Sequence, residues 1–118
     1  AEHVAALRQA LAEGVLDAIA TDHAPHATYE KEVEFTEAPP GMIGLETAVA
    51  VSLALVREGV LSPLEFVRRL STQPARILGQ EGGSLAVGVP ADVVLIDPEQ
   101  EWIYDPGRGH SKSRNSPW

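Results

Sequence analysis

Cysteine is absent from this chain of 118 residues. No disulfide framework, thiol nucleophile or cysteine-ligated zinc centre is therefore open to it. Basic residues are few: nine Lys and Arg stand against seventeen Asp and Glu, for a formal net charge of −8. Such a balance repels nucleic acid and anionic membrane surfaces, so neither is expected as a partner. No apolar stretch reaches the roughly 18 residues that a membrane span needs, and no secretory leader is evident. A cytoplasmic location is the expectation. Aromatic residues make up only 5% of the chain. With Ala, Val and Leu abundant, that scarcity favours small-residue packing of helices on a sheet. No internal repeat or low-complexity segment interrupts the pattern.

What is present has the composition of one modest globular domain, 44% hydrophobic and 22% charged. Val4, Leu7 and Leu11 recur at a helical period, and Gly14 stands where a helix should stop. Residues 15–21 form a short apolar run broken only by Asp17, which predicts a strand buried on both faces of a parallel sheet. Residues 27–41 predict a long loop whose four acids, Glu30, Glu32, Glu34 and Glu37, face solvent, and Val33 and Phe35 are positioned to pin it down. Gly44-Leu45-Glu46-Thr47 opens an apolar, buried helix that ends at Gly59, with Glu46 placed to favour the helix N-terminus. Ser62-Pro63-Leu64-Glu65 is a capping box for a third helix carrying Phe66, Val67 and Leu70. A short fourth helix is predicted over Thr72–Gly79. Residues 82–90 are turn-rich, 91–96 read as a β-branched strand, and Trp102-Ile103-Tyr104 as another. The boundary is placed so that 1–81 form one portion and 82–118 another. Residues 106–118 are expected to be a mobile polar tail. The chain opens without Met and stops at Ser116-Pro117-Trp118, and both ends are expected to be cut.

The chemistry concentrates in Ile19-Ala20-Thr21-Asp22-His23-Ala24-Pro25-His26. An apolar run ends in a carboxylate and two imidazoles, with a proline stiffening the turn between them. Asp is a poor strand former and costly to bury unpaired. At the tip of a buried strand, in an α/β barrel or an open sheet, it is placed to serve as a metal ligand or proton carrier. The plainer alternative is a strand capped by polar turn residues. Gly41-Met42-Ile43-Gly44 lacks the Lys-Ser/Thr partner of a phosphate loop, but could receive a carboxylate on its N–H groups.

The string Ala20–His26, with Glu37-Ala38-Pro39-Pro40-Gly41 and Gly44-Leu45-Glu46-Thr47, closely resembles the bacterial type I dihydroorotases of the amidohydrolase superfamily. Gln73–Gly79 and Gly83–Asp92 resemble that superfamily's late segment, where the chain leaves the barrel for a β-sandwich. Ser111-Lys112-Ser113-Arg114-Asn115 resembles the same group's tail. The similarity covers essentially the whole chain. It implies an α/β fold: the C-terminal part of a TIM (β/α)8-barrel over 1–81, with its last strand and flanking helices, and part of a small β-sandwich domain over 82–118. The implied reaction interconverts L-dihydroorotate and N-carbamoyl-L-aspartate in pyrimidine synthesis, using hydroxide activated by one or two zinc ions. Asp22 matches the aspartate that binds the metal and shuttles the proton. His26 matches the histidine that contacts the substrate carboxylate. Pro40 and Gly41 match a lid segment that meets the substrate through main-chain groups. His23 is expected to make a structural hydrogen bond, and His3 and His110 to face solvent.

The family's metal site also needs a His-x-His pair and further ligands from other strands. Zinc takes three or four protein ligands, and this chain offers Asp22, so residues 1–118 alone are expected to be inactive. A hydantoinase or allantoinase is the alternative enzyme. A non-catalytic homologue that scaffolds aspartate transcarbamoylase is the alternative from another class. The candidate partners are the small-molecule substrate, the remainder of the same protein, further copies of it, and aspartate transcarbamoylase.

Overall fold

A computed structural model describes residues 2–118. Ala1, the first residue of the expected barrel portion, lies outside the described residues. The elements are α1 (Glu2–Ala12), α2 (Thr28–Lys31), α3 (Ala48–Arg57), α4 (Pro63–Val67), a π-helical turn (Arg68–Thr72), α5 (Gln73–Leu78) and a 3-10 turn (Pro106–Arg108). They fall into two compact units. One comprises the residues up to Ala20 with Ser52–Pro98; the other comprises Thr21–Val51 with Glu99–Trp118. No helix among the described residues is long and apolar enough to cross a membrane.

In the first unit the helix stops follow the chemistry of the sequence. At the end of α1, Gly14 takes φ +80°, a conformation only glycine adopts without cost. Its N–H donates to the Leu11 carbonyl at 3.3 Å and the Val15 N–H to Ala10 at 2.8 Å, which satisfies carbonyls a helix end would otherwise strand. The same paired bonds close α3 at Gly59 and Val60, and α5 at Gly79 and Gln80. Ser62 caps α4, its hydroxyl accepting the Glu65 N–H at 3.2 Å, with Pro63 at the first helical position.

The third and fourth helices expected from the sequence are joined without a break. Between them lies the π-helical turn, in which the Gln73 N–H donates to the Arg68 carbonyl, five residues back. The cause is Pro74. Within a helix it has no N–H to give and its ring crowds the carbonyl four residues earlier, and a widened turn relieves both. Leu11, Leu61 and Phe66 are buried here, together with Ser52 and Arg69. Arg69 Nη2 lies 3.5 Å from the Leu11 carbonyl and 3.3 Å from Glu65 Oε2.

The predicted strands do not form. A strand is held by a ladder of bonds to a neighbour, and the described residues contain only one isolated parallel bridge, His23 with Met42. Along 15–20 the Ile19 N–H reaches the Arg69 carbonyl at 3.0 Å, a helix rather than a sheet partner. The β-branched run 91–96 lies exposed, Leu95 by 94%, and so does Ile103 by 94%. Nor is the apolar helix fully covered: Val49 and Val51 are exposed and only Ser52 is buried in α3.

In the second unit, Ile43, Thr47 and Ser113 are the buried residues. The segment 106–118 is not the mobile tail its composition predicts. Ser113 is only 4% exposed, and the Asn115 carbonyl accepts the Ile43 N–H at 2.8 Å. The long loop 27–41 is present but contains α2, and Phe35, expected to pin it, is 96% exposed.

Candidate active site

All four site residues read from the sequence, Asp22, His26, Pro40 and Gly41, lie in the second unit. Asp22 has φ +48°, the only non-glycine residue among those described in the left-handed region. Asp tolerates that region better than most residues because its short side chain can bond locally, yet it still carries strain. Strained backbone persists where the surroundings over-determine it, and functional sites are where it collects. The Asp22 side chain is exposed, and no described group donates to its carboxylate.

The residues after Asp22 explain what holds the turn. His23 Nδ1 accepts the N–H of Gly44 at 3.1 Å and that of Leu45 at 3.3 Å. Accepting two donors requires an unprotonated Nδ1, so the neutral ring carries its hydrogen on Nε2. The Ala24 N–H donates to the Met42 carbonyl at 2.9 Å. Together these bonds lay residues 23–24 alongside 42–45. The structural role expected of His23 is the one observed, and His3 and His110 are exposed as expected.

His26 meets the loop itself. Its Nε2 lies 3.1 Å from the Pro40 carbonyl oxygen and its Nδ1 lies 3.6 Å from Glu30 Oε2. Glu30 in turn accepts the Ala27 N–H at 2.7 Å across the start of α2. Lys31 Nζ donates to the carbonyls of Pro39 and Gly41, and the Asn115 side-chain amide also donates to Gly41. Three polar side chains thus converge on consecutive carbonyls of Pro39-Pro40-Gly41. Glycine is required at 41: φ is +129°, and a Cβ there would stand 2.7 Å from Ala24 Cβ and 3.1 Å from His26 Nε2.

The structure therefore brings His26, Pro40 and Gly41 together, while no hydrogen bond joins Asp22 to them. Lys31 and Asn115 escaped the sequence reading, and Glu30 was read only as a solvated acid. A signal existed for one of them, since Glu30 falls four residues after His26, where a helical turn returns side chains to one face. Glu46, read as favouring its helix N-terminus, instead accepts main-chain N–H groups from His110 and Ser111.

As a metal centre the site is incomplete. No group of three or more His, Asp or Glu side chains able to hold an ion occurs among the described residues. Asp22 fits as a single ligand, being an exposed carboxylate that no described donor occupies.

The sequence pattern of the amidohydrolase family matches residues 1–116. A dihydroorotase of Anaeromyxobacter dehalogenans is 56% identical over 118 residues, covering 100% of this chain and 27% of that protein. A dihydroorotase of Desulfotalea psychrophila is 55% identical over 117 residues, 99% of this chain and 28% of that protein. That of Geotalea daltonii is 52% identical over 118 residues, 100% of this chain and 28% of the relative. The chain thus spans little more than a quarter of the length of these relatives. With a matched pattern running nearly from end to end, this chain belongs to the amidohydrolase family.

Proposed function

We propose that this chain is the part of a cyclic amidohydrolase that carries its proton-transfer carboxylate and a substrate-binding loop, and that the whole protein interconverts L-dihydroorotate and N-carbamoyl-L-aspartate in pyrimidine synthesis. The observation that carries the reading is Asp22: a carboxylate held at φ +48°, exposed and unpartnered, in a chain 56% identical to a dihydroorotase. Residues 1–81 are assigned to the last part of a (β/α)8 barrel and 82–118 to part of a β-sandwich. In this reading the strands gain their ladders from the rest of the protein, in the cytoplasm.

The chemistry follows from the residues. Opening a cyclic amide needs water to lose a proton and the departing nitrogen to gain one. Asp22 accepts the first on a carboxylate oxygen as the water oxygen bonds the ring carbonyl carbon, and returns it to the nitrogen as the C–N bond breaks. Asp22 is also one ligand to zinc, the remaining ligands coming from elsewhere in the protein; a bound zinc supplies an activated water at neutral pH. The substrate is an anion and needs N–H donors. His26 Nε2 now points its hydrogen at the Pro40 carbonyl, and a substrate carboxylate takes over that hydrogen bond. Pro40 has no N–H, and the Gly41 carbonyl is occupied by Lys31 and Asn115. The Gly41 N–H is the loop's main-chain donor for substrate.

The test is to assay the intact protein with dihydroorotate, hydantoin and allantoin, with and without Asp22→Ala. Turnover of dihydroorotate that vanishes in Asp22→Ala is expected. Preference for hydantoin or allantoin would instead make it a different cyclic amidase. Absence of all turnover from protein that binds aspartate transcarbamoylase would make it a scaffold.

A further inference from the structure

The longest-range hydrogen bonds in the second unit come from the chain's last residues. Glu46 Oε1 accepts the His110 N–H at 2.9 Å and the Ser111 N–H at 3.4 Å. Gly109 approaches so closely that a Cβ there would meet the same oxygen at 2.8 Å. Farther along, Asn115 bonds residues 41–43 through two groups: its carbonyl accepts the Ile43 N–H, and its side-chain amide donates to the Gly41 carbonyl. Between these anchors the Ser111 and Ser113 hydroxyls accept the N–H groups of Ser113 and Asn115, at 3.2 and 3.3 Å, so the segment is internally braced.

We propose that residues 109–115 form a strap that sets the position of the Pro40–Gly41 loop, with Asn115 and Glu46 as positioning residues for substrate binding. The inference rests on the reading of Pro40 and Gly41 as substrate contacts. Its physical basis is the division of labour among the donors. A carbonyl oxygen has two lone pairs, and those of Gly41 are both used, by Lys31 and by Asn115. The Pro40 carbonyl is held by His26 alone. When a substrate carboxylate draws His26 away, the Pro40 carbonyl loses its restraint. The strap's bonds at Gly41 and Ile43 remain. They keep the loop in register at the moment the Gly41 N–H must meet the substrate. Glu46 serves one step farther out, by tethering the strap's start to the segment that follows the loop.

The experiment uses the full-length protein with Asn115→Ala, Glu46→Ala and Glu46→Gln, reading amide hydrogen exchange over 41–45 together with kcat and KM for dihydroorotate. Loss of one or two hydrogen bonds predicts exchange about tenfold faster, and KM about five- to tenfold higher, in both alanine variants. kcat is expected to stay within about twofold. Glu46→Gln keeps a carbonyl acceptor and restores values near the parent's, which a role of the negative charge alone would not allow. Unchanged exchange in both alanine variants would overturn the strap. Faster exchange with unchanged KM, alongside a raised KM in Gly41→Ala, would overturn the positioning role while leaving Gly41 a substrate contact. Should Gly41→Ala leave KM unchanged as well, the underlying reading of the loop is what fails.

Discussion

Replacing Gly41 by alanine puts the loop's geometry to a quantitative test. At φ +129° an L side chain is strained, at a cost of about 1–3 kcal/mol. The new methyl would also stand 2.7 Å from Ala24 Cβ, well inside the roughly 3.5–4.0 Å at which carbon atoms rest. Relief requires a shift of about 1 Å between residues 40–42 and residue 24. That shift is opposed by the bonds from His26, Lys31 and Asn115 to the loop carbonyls, each worth about 1 kcal/mol net. The loop is therefore expected to yield rather than the fold, because breaking these few bonds costs less than unfolding the protein. A displacement of that size at a substrate contact lowers kcat/KM about a hundredfold, equivalent to about 2.7 kcal/mol. The midpoint of thermal unfolding should fall by a few degrees, because the strain and the broken bonds weaken the folded state without abolishing it. Ala24→Gly removes the atom that clashes, so the double variant Ala24→Gly/Gly41→Ala should recover about tenfold of the loss. Recovery stays incomplete because the backbone strain and the 3.1 Å approach to His26 persist. A Gly41→Ala enzyme whose kcat/KM stays within about twofold of the parent would remove this loop from the substrate. A double variant no better than the single one would show that Ala24 is not what the methyl meets.

Asp22→Asn keeps a residue that tolerates the left-handed backbone but loses the proton acceptor; the melting temperature should hold while kcat falls at least about a hundredfold, and retained turnover would take the carboxylate out of the chemistry. Ser62→Ala removes the cap of α4 and should cost about 1 kcal/mol in chemical denaturation with no change in KM. Arg69 is buried with Nε unpartnered; Arg69→Met should therefore fall within about 1 kcal/mol of the parent, whereas Arg69→Ala, which empties the site, should cost about 2–4 kcal/mol. Equal losses in the two Arg69 variants would mean that its charge, not its volume, stabilises the unit.

The features that were legible in the sequence are those written over a few residues. Gly14, Gly59 and Gly79 mark helix ends because a left-handed residue with two local bonds closes each one. Ser62 and Pro63 mark a start for an equally local reason. Pro74 falls within the predicted fourth helix, but the sequence does not mark it as the cause of a π-helical turn, since whether the preceding helix stops or widens depends on what the preceding residues pack against. The strands over 15–21 and 91–96 were inferred from apolar, β-branched composition. Composition states what a segment would bury if a partner lay beside it; it does not supply the partner, and among the described residues none pairs with either run.

The candidate site divides along the same line. Asp22 stands out because a carboxylate ends an apolar run, whereas His26, Pro40 and Gly41 are singled out through the resemblance to dihydroorotases; the structure brings these last three together. Nothing local marks Asn115 as a donor to Gly41, 74 residues away, or ties Glu46 to His110, 64 residues away. Bonds across such separations cost loop-closure entropy before they return anything. One hydrogen bond nets only about 1 kcal/mol, so none of them could dock the tail alone. Docking becomes favourable once several act on a segment already stiffened by its own serine hydroxyls, as 109–115 is. That cooperativity is why Gly/Ser-rich composition misled here. The residues that make a segment look mobile in isolation are small enough to let Glu46 reach the main-chain N–H groups, and a Cβ at Gly109 would stand 2.8 Å from the Glu46 carboxylate, which would have to move aside.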